Sequence, residues 1–308
     1  MLVIMKKVIR KFLILALMLV PVILIKPDVI GYRQLGNVEA SSLYSAELLT
    51  KEYKVSGSNQ PYYKKLDLGK DLQLIIYSGK KQIDAGKCKF SSENKKVATI
   101  DKNGVIHSVK KGRAVINVKE KKTGKKLKII LSVADETTRT LFLGDSRGVD
   151  LFTGTPGTYE GYVRNGIVVY TADGANNSYL EKIYNYTDLS DYDTIVSWLG
   201  ANNYGHFKIY KKTYNKIIKR GKNLVLCTVG AVSPAFFPEG DEQFFGVNVI
   251  GHFNSEIKKY AKSRSRVRTI DLYKYTKKHV IIETRDGVHY LPKPTKVLWK
   301  YIVKKVFS

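Results

Sequence analysis

The chain has 308 residues, enough for two domains that each bury a core. Its hydrophobic content of 44%, with 21 Tyr and 11 Phe, is typical of a globular protein and excludes a disordered one. The formal net charge of +26 is high and spread out: residues 61–136 carry 19 Lys or Arg against 8 Asp or Glu, and residues 137–308 carry 26 against 15. Such a spread favours attraction to a polyanionic surface over a local nucleic-acid footprint, although a solvated surface without a specific partner explains it equally well.

The N-terminus has the pattern of a secretory signal. Four basic residues, Lys6, Lys7, Arg10 and Lys11, precede an apolar run over residues 12–25. Because no small-x-small cleavage site follows closely, residues 1–26 are predicted to be either a cleaved signal peptide or a retained signal anchor. In both cases we expect the rest of the chain to be exported and to lie at the cell surface, membrane-anchored or secreted.

A polar segment over residues 27–60 is predicted to be a linker, and residues 61–136 are predicted to form a small all-β sandwich. Short apolar alternating runs separated by turn residues indicate the strands. They cover residues 72–76, 97–100, 105–109, 114–118 and 127–133. The pair Asn103-Gly104 between two of these runs predicts a hairpin turn, because Asn-Gly suits the positive backbone angles of a tight turn.

Residues 90–118 carry a motif series in a specific order: Ser-Ser, Val-Ala-x-Ile-Asp, Asn-Gly and Lys-x-Gly. This series resembles that of bacterial immunoglobulin-like domains of group 2, and the resemblance extends over about residues 62–134. It implies either a surface spacer or a carbohydrate-adhesion module. No residue in this region is predicted to be catalytic.

Residues 137–308 are predicted to form an α/β domain, because apolar strands alternate with longer helical segments. The predicted strands cover residues 140–143, 167–170, 194–199, 224–229 and 267–272. The predicted helices cover residues 179–184, 210–219, 247–261 and 295–306. This alternation predicts parallel pairing with right-handed crossovers, and therefore a three-layer α/β/α sandwich with a parallel sheet.

Four motifs in this domain carry chemically useful side chains, and each follows a strand or fills the last loop. They are Gly144-Asp145-Ser146, Asp173-Gly174, Gly200-Ala201-Asn202-Asn203 and Asp286-Gly287-Val288-His289. The carboxyl ends of parallel strands meet at one edge of a sheet, which is where open α/β sheets bind their ligands. A hydroxyl, an amide donor and an Asp-x-x-His pair are the groups that nucleophilic acyl transfer requires.

The four motifs, in this order, resemble the blocks of the SGNH, or GDSL-like, hydrolase superfamily. The resemblance covers residues 139–308 and implies a flavodoxin-like fold and esterase chemistry. The block residues it implies are Ser146, Gly174, Asn202 and His289. Asn203 stands where the family has an Asp, and Gly166 also follows an Asn, which leaves it as an alternative to Gly174 in the second block.

Ester cleavage assigns a role to each of these residues. His289 is the predicted base that takes the proton of Ser146, and Asp286 accepts the other ring N–H of His289 and fixes its tautomer. The predicted oxyanion hole consists of the backbone N–H groups of Ser146 and Gly174 and the side-chain amide of Asn202. No cofactor is predicted, and neither cysteine lies in a metal-ligand spacing.

Two further patterns allow more than one interpretation. The stretch Gly144-Asp-Ser-Arg-Gly148 also fits the nucleophile elbow of α/β-hydrolases, but there the Ser follows several earlier strands and the acid is well separated from the His. A loop over residues 233–245 contains four Phe, which predicts either a wall or lid over an acyl or sugar group or plain packing of the loop. His206 is the one histidine outside the motifs that is expected near the cleft.

Together the motifs and the N-terminus predict an exported serine esterase that removes O-acetyl or other short acyl groups from a cell-envelope or extracellular polysaccharide. The expected partners are an acylated polysaccharide or small ester substrate and anionic cell-wall polymers. Nucleic acid is not expected, and a membrane is expected to contact only the N-terminal segment. Two alternatives are a non-catalytic cell-wall-binding or surface protein on a hydrolase fold and a polysaccharide O-acyltransferase.

Overall fold

The computed structural model describes residues 50–56 and 58–308. The predicted signal segment and most of the predicted linker lie outside the described residues. Within the described part of the chain, no helix is both long and apolar enough to cross a membrane.

The N-terminal part is a sandwich of two β-sheets. In chain order its strands are β1 (Thr50–Ser56), β2 (Tyr62–Asp67), β3 (Asp71–Ser78), β4 (Lys81–Ile83), β5 (Cys88–Ser92), β6 (Ala98–Ile100), β7 (Val105–Ser108), β8 (Gly112–Glu120) and β9 (Lys126–Ala134). One sheet has the order β1-β3-β7-β6 with β4 paired to β3, and the other has the order β2-β9-β8-β5. Alternate residues of both sheets, such as Leu72, Ile106 and Leu131, fill a common core.

All five runs predicted in this region are strands, and the Asn103-Gly104 turn joins antiparallel β6 and β7, with Gly104 at φ +81°. The predicted linker is wrong over its last part, because β1 belongs to the sandwich. Tyr53 and Val55 of β1 are buried in its core. Two apolar positions between charged neighbours were too short a pattern to indicate a strand.

The C-terminal part is an α/β domain. Its strands are β10 (Thr140–Gly144), β11 (Thr158–Arg164), β12 (Ile167–Ala172), β13 (Thr194–Trp198), β14 (Asn223–Cys227), β15 (Val267–Ile270), β16 (Ile281–Ile282) and β17 (Tyr290–Leu291). Its helices are α1 (Ser146–Val149), α2 (Asn177–Tyr186), α3 (Lys208–Lys219), α4 (Glu242–Phe245), α5 (Val247–Lys262), α6 (Leu272–His279) and α7 (Lys296–Val306). The main sheet has the order β11-β12-β10-β13-β14-β15.

Five strands of this sheet are parallel, as predicted, but the edge strand β11 pairs antiparallel with β12. The prediction of a purely parallel sheet is therefore corrected at this edge. β11 escaped prediction because its sequence, Thr-Tyr-Glu-Gly-Tyr-Val-Arg, is polar and contains a glycine. Helix α6 escaped prediction for a similar reason, since it is rich in lysine.

Helices cover both faces of the sheet. Successive residues of a strand point to opposite faces. Leu141 and Leu143 of β10 pack in a core with α2, α3 and α5, whereas Phe142 packs in a second core with α6 and α7. The two faces of β10 therefore contribute to two different hydrophobic cores, each of which includes helices.

The sandwich docks onto the α/β domain through the edge strand β11. Tyr63 of β2 is fully buried, and its hydroxyl donates to Glu160 of β11 at 3.1 Å. Ser132 of β9 donates to the backbone oxygen of Gly161 at 2.9 Å, and Arg113 of β8 donates to that of Glu160 at 2.7 Å. Two β-sandwich residues thereby share the core of the α/β domain, since Tyr63 and Ile130 both belong to it.

A buried ion pair stands beside this contact. Lys64 Nζ lies 2.6 Å from Asp188 Oδ2 and 2.9 Å from Asp191 Oδ2. Burial alone would lower the pKa of Lys64, but the two carboxylates outweigh burial and raise it. For Asp188, burial would raise the pKa, but hydrogen bonds from Lys64 and Ser190 outweigh burial and lower it. The charged forms of Lys64 and Asp188 are thus favoured by docking.

Gly161 is a position at which this docking should be sensitive to substitution. It lies at φ +85°, and a Cβ there would come within 2.5 Å of Ile130 Cγ2. We expect Gly161→Ala to lower the free energy of unfolding by about 2–4 kcal/mol, from a left-handed backbone and from overpacking together.

Gly166→Ala is the matched control, because Gly166 lies at φ +72° and a Cβ there would meet no atom within 4 Å. This variant should lower the free energy of unfolding by only about 1–2 kcal/mol, which is the cost of the left-handed backbone alone. Chemical denaturation of both variants measures the difference. Equal losses would mean that Ile130 yields to a side chain at residue 161 and that overpacking costs nothing there.

Candidate active site

Three of the predicted motifs meet because of how the sheet pairs. Gly144 at the end of β10 pairs with Thr171 of β12 on one side and with Trp198 of β13 on the other. The loops that follow these strands therefore leave the same edge. Gly144 allows this close approach, since a Cβ there would lie 3.0 Å from Thr171 Cγ2.

Ser146 is the first residue of helix α1, directly after β10. Asp145 lies between β10 and this helix and caps it, because its carboxylate accepts the backbone N–H of Arg147 at 3.1 Å. As the first helical residue, Ser146 has a backbone N–H without an intrahelical acceptor. The turn therefore presents both the hydroxyl and the N–H of Ser146 at the edge of the sheet.

Ser146, His289 and Asp286 form a continuous hydrogen-bonded chain. Ser146 Oγ lies 2.8 Å from His289 Nε2. On the other side of the ring, His289 Nδ1 lies 2.9 Å from Asp286 Oδ2. These distances lie within hydrogen-bonding reach for a nucleophile, its base and the group that orients the base. The structure thus brings together the three residues predicted to be catalytic.

The second carboxylate oxygen of Asp286 holds its own loop. It accepts the backbone N–H groups of Val288 at 2.8 Å and of His289 at 2.9 Å. Partial burial would raise the pKa of Asp286, but these two bonds and the bond from the imidazole outweigh burial and lower it. Asp286 is therefore held ionised while it orients His289.

Gly287 is required in this loop for two reasons. It lies at φ +71°, and a Cβ there would be 2.4 Å from the backbone oxygen of Ser233 and 2.7 Å from the ring of Phe237. The backbone N–H of Ser233 also donates to the oxygen of Gly287 at 2.9 Å. The loop that carries the acid and the base is thus packed directly against the phenylalanine-rich loop.

Of the two candidate glycines for the second block, the topology favours Gly174. Gly174 follows the carboxyl end of β12 and is exposed there, on the side of Ser146. Gly166 precedes the first residue of β12 in the hairpin from β11, at the opposite edge of the sheet. Gly166 cannot serve Ser146 from that position.

The loop that carries Asn202 is tied to the loop of Gly174. The side-chain amide of Asn202 donates to the backbone oxygen of Ala175 at 3.0 Å. An amide has two N–H groups, so a second donor remains for a substrate oxygen. The oxyanion hole of Ser146, Gly174 and Asn202 stays a prediction, and this bond joins the loops that supply two of its members.

Asn203, the departure from the family pattern, has a structural role here. Its side-chain oxygen accepts the backbone N–H of Asn177 at 3.0 Å and the hydroxyl of Tyr210, and its amide donates to Asn177 Oδ1 at 3.1 Å. An Asp could accept the same bonds but could not donate to Asn177. Asn203 is thus matched by an Asn at residue 177, at the start of α2.

A buried ion pair next to Ser146 was not predicted from the sequence. Arg147 is 1% exposed, and its guanidinium lies 2.5 Å and 3.1 Å from the two carboxylate oxygens of Asp145. Burial would lower the pKa of Arg147, but Asp145 outweighs burial and raises it. The guanidinium also lies 5.0 Å from the centre of the Trp198 ring, which is stacked parallel to Tyr290. The residues on both sides of Ser146 are thereby fixed.

Charged residues surround the catalytic loop. Lys293 Nζ lies 2.8 Å from Glu283 and 3.1 Å from Asp150, and Arg285 lies 3.6 Å from Asp286. Glu283, Asp286 and His289 bring ligand atoms within 4.8 Å of one another and could hold a metal ion. In this arrangement, Glu283 is paired with Lys293, and the other two bond each other.

Two phenylalanine rings of the phenylalanine-rich loop (residues 233–245) are packed against other residues, and two are exposed. Phe237 packs on the catalytic loop and Phe245 on the main core, whereas Phe236 and Phe244 are 39% and 36% exposed. Packing therefore accounts for two of the four rings, and the wall or lid over a substrate stays a prediction for the other two. His206 is exposed and takes no part in the hydrogen bonds of the triad.

The α/β-hydrolase interpretation does not fit this arrangement. Ser146 follows the first strand of its sheet, and the acid lies three residues before the base. An α/β-hydrolase places earlier strands before the nucleophile and separates its acid from its base.

Comparison with known proteins bears first on the sandwich. Residues 65–130 match the family model of the bacterial Ig-like domain, group 2. The predicted immunoglobulin-like domain is confirmed. No curated protein matches the chain.

The chain is also similar to solved structures. A GDSL-like lipase from Bacteroides thetaiotaomicron is 17% identical, with a TM-score of 0.41 over 56% of this chain and 90% of the lipase. The C-terminal catalytic domain of a peptidoglycan O-acetyltransferase from Streptococcus pneumoniae is 19% identical, with a TM-score of 0.38 over 55% and 90%. An acetylxylan esterase from Geobacillus stearothermophilus is 13% identical, with a TM-score of 0.38 over 55% and 93%. At these scores the likeness decides nothing about activity, which must be inferred from the side chains of this chain.

Asp286→Asn should lower turnover by about 10⁴, because an amide favours the wrong imidazole tautomer. His206→Gln is the matched control and should leave turnover within about twofold, since His206 transfers no proton in this site. Steady-state kinetics on a small ester measures both. A dead His206 variant beside a normal Asp286 variant would show that the base is misassigned.

Asp286 should also leave a signature in the pH dependence of stability. A carboxyl whose pKa is lowered by folding stabilises the protein above its unfolded pKa of about 3.9, and this contribution is lost as the pH falls through the folded pKa. The difference in free energy of unfolding between the wild type and Asp286→Asn should therefore shrink below about pH 4. A difference that is constant with pH would contradict the ionised state of Asp286.

Proposed function

We propose that this protein is an exported serine esterase that removes O-acetyl or other short acyl groups from a cell-envelope or extracellular polysaccharide. The observation that carries the reaction is the continuous chain from Ser146 through His289 to Asp286, with bonds of 2.8 Å and 2.9 Å. Export is supported by the basic and apolar N-terminus alone. We also infer a flavodoxin-like three-layer arrangement, supported by the strand order and by the two cores.

In the first half of the reaction, Ser146 Oγ attacks the ester carbonyl while His289 Nε2 takes its proton. The imidazolium that forms is stabilised by the carboxylate of Asp286. Negative charge on the carbonyl oxygen is received by N–H groups of Ser146, Gly174 and Asn202. His289 then returns the proton to the sugar oxygen, which leaves as an alcohol, and the acyl group stays on Ser146.

In the second half, a water molecule attacks the acyl-enzyme. His289 takes a proton from the water, and the tetrahedral intermediate collapses to release the acid and to return the proton to Ser146 Oγ. If a sugar hydroxyl replaces the water, the same steps transfer the acyl group to a glycan. Hydrolysis and acyl transfer therefore differ only in the acceptor.

An exposed aromatic surface beside Asn202 supports a saccharide substrate. Tyr204 is 47% exposed at φ +50°, and its ring centre lies 4.7 Å from that of Phe244. A Tyr in the left-handed region is unfavourable unless the surroundings hold it there, and such residues cluster at functional sites. An exposed pair of rings next to a reaction site offers a flat apolar face of the kind that marks a binding surface.

Ser146→Ala should abolish the release of acetate from an aryl acetate and from acetylated xylan, because no other hydroxyl is bonded to His289 Nε2 among the described residues. The wild type should be labelled at Ser146 by a fluorophosphonate probe, and the variant should not. Unchanged turnover in the variant would contradict the proposal that Ser146 is the nucleophile. A wild type that binds isolated cell walls but is not labelled would favour the non-catalytic alternative, and acetylated glycan formed from an added acceptor would favour transfer.

Tyr204→Ala should raise KM for an acetylated oligosaccharide about tenfold, a loss on the order of 1.4 kcal/mol, and leave kcat/KM for a small aryl acetate nearly unchanged. Val297→Ala is the matched control, since Val297 is 43% exposed on helix α7. Steady-state kinetics on the two substrates separates the effects. An equal loss on both substrates would show that Tyr204 supports the catalytic loops and does not bind the sugar.

A further inference from the structure

Three lysines stand side by side on the outward face of the β2-β9-β8-β5 sheet. The strand register pairs Lys89 of β5 with Lys119 of β8, and Lys119 with Lys126 of β9. Neighbouring strands lie about 4.8 Å apart, so the three side chains leave the sheet in one row across three strands. We call this row the lysine ladder.

A second row lies two residues along the same strands, on the same face. It consists of Ser91, Asn117 and Lys128, which are register partners in the same way. The two rows line an open groove with a volume of about 1020 Å³, bordered by residues 58–61. The amide of Asn117 donates to Glu93 at 3.0 Å, at the edge of this surface.

One half of this sheet face contacts the α/β domain, and the other half is exposed. Toward β2, its residues Ile130, Ser132 and Tyr63 are buried against the α/β domain. Farther along the same strands, the lysines of the two rows are exposed. The docked half and the ladder thus belong to one continuous sheet face. A molecule bound on the ladder is therefore bound to a surface that is packed against the α/β domain.

The lysine charges of the two rows are not neutralised within the described part of the chain. No salt bridge or side-chain hydrogen bond there involves Lys89, Lys119, Lys126 or Lys128, although Lys64, Lys65, Lys111 and Lys293 each have a carboxylate partner. Like charges directly opposite each other on neighbouring strands are destabilising. A ligand with several anionic groups would relieve this repulsion at all three strands together.

We propose that the lysine ladder binds a linear polymer of phosphodiesters, with successive phosphates lying along the groove. Lys ammonium groups bind phosphate as compact point charges, and the Ser and Asn side chains of the second row supply neutral hydrogen-bond donors. The one aromatic residue that lines the groove, Phe90, packs against the core of the sandwich, and the two rows themselves contain no aromatic ring. A polymer without bases is therefore favoured over single-stranded nucleic acid, which binds by stacking successive bases on exposed rings. This site is separate from Ser146 and does not depend on the proposed esterase reaction.

The test compares two triple variants of the full chain that lose the same charge. Lys89→Gln, Lys119→Gln and Lys126→Gln together remove the ladder. Lys80→Gln, Lys95→Gln and Lys96→Gln together remove three exposed lysines of the same domain that have no ion pair among the described residues. The probe is inorganic polyphosphate of defined chain length, titrated at two salt concentrations, with dextran as a neutral polymer.

The ladder variant should bind polyphosphate about tenfold more weakly than the wild type, and the control variant should lose less than twofold. Binding should weaken with salt, dextran should not bind, and Ser146→Ala should bind as the wild type does. The melting temperature of the ladder variant should be no lower than that of the wild type, since a repulsion is removed.

Three results would overturn the proposal. Equal losses in the two triple variants would mean that binding follows net charge and not the ladder. Dextran binding at the same site would indicate a neutral carbohydrate ligand. A single-stranded oligonucleotide that binds more than tenfold tighter than polyphosphate of equal charge would reassign the site to nucleic acid.

Discussion

The parallel pairing of β10 with both β12 and β13 is the constraint on which the site depends. It forces three loops from distant parts of the chain to leave the sheet side by side, with Gly144 between Thr171 and Trp198. Close packing on both faces holds these strands in register, since a shift of one residue would exchange the side chains of the two cores and misfit both. The catalytic geometry is thus a consequence of hydrophobic packing beneath it.

The last loop reaches this edge by a different route, because it does not follow a strand of the main sheet. The short hairpin of β16 and β17 supports it, and the hydroxyl of Tyr290 donates to the backbone oxygen of Ala231 at 2.9 Å. Gly287 lets the loop pack on Ser233 and Phe237 without a clash. One contact surface therefore fixes both the loop of His289 and the phenylalanine-rich loop.

The sequence predicts the parts of this protein that depend on regular patterns or on adjacent residues. Every predicted strand and helix of the α/β domain exists. Asp286 and His289 were predicted as a pair because they lie three residues apart, so one short loop can place both side chains. Features that depend on distant partners gave no such signal. The pair of Asn203 with Asn177 and the burial of Arg147 against Trp198 become visible only once the strands are aligned. Glu160 of the polar strand β11 is a further example, because it accepts hydrogen bonds from distant tyrosines of both domains, Tyr63 and Tyr179.

Docking through Glu160 fixes the orientation of the immunoglobulin-like domain relative to the α/β domain. A domain on a loose tether raises the concentration of a bound polymer near the site but does not orient it. Here Tyr63 and Ile130 are built into the core of the α/β domain, and the fully buried Tyr63 leaves no room for independent movement at that contact. The exposed half of the same sheet face is therefore fixed in direction relative to Ser146. A polymer chain that lies along it would be held in one orientation relative to the α/β domain, which a flexible spacer cannot impose.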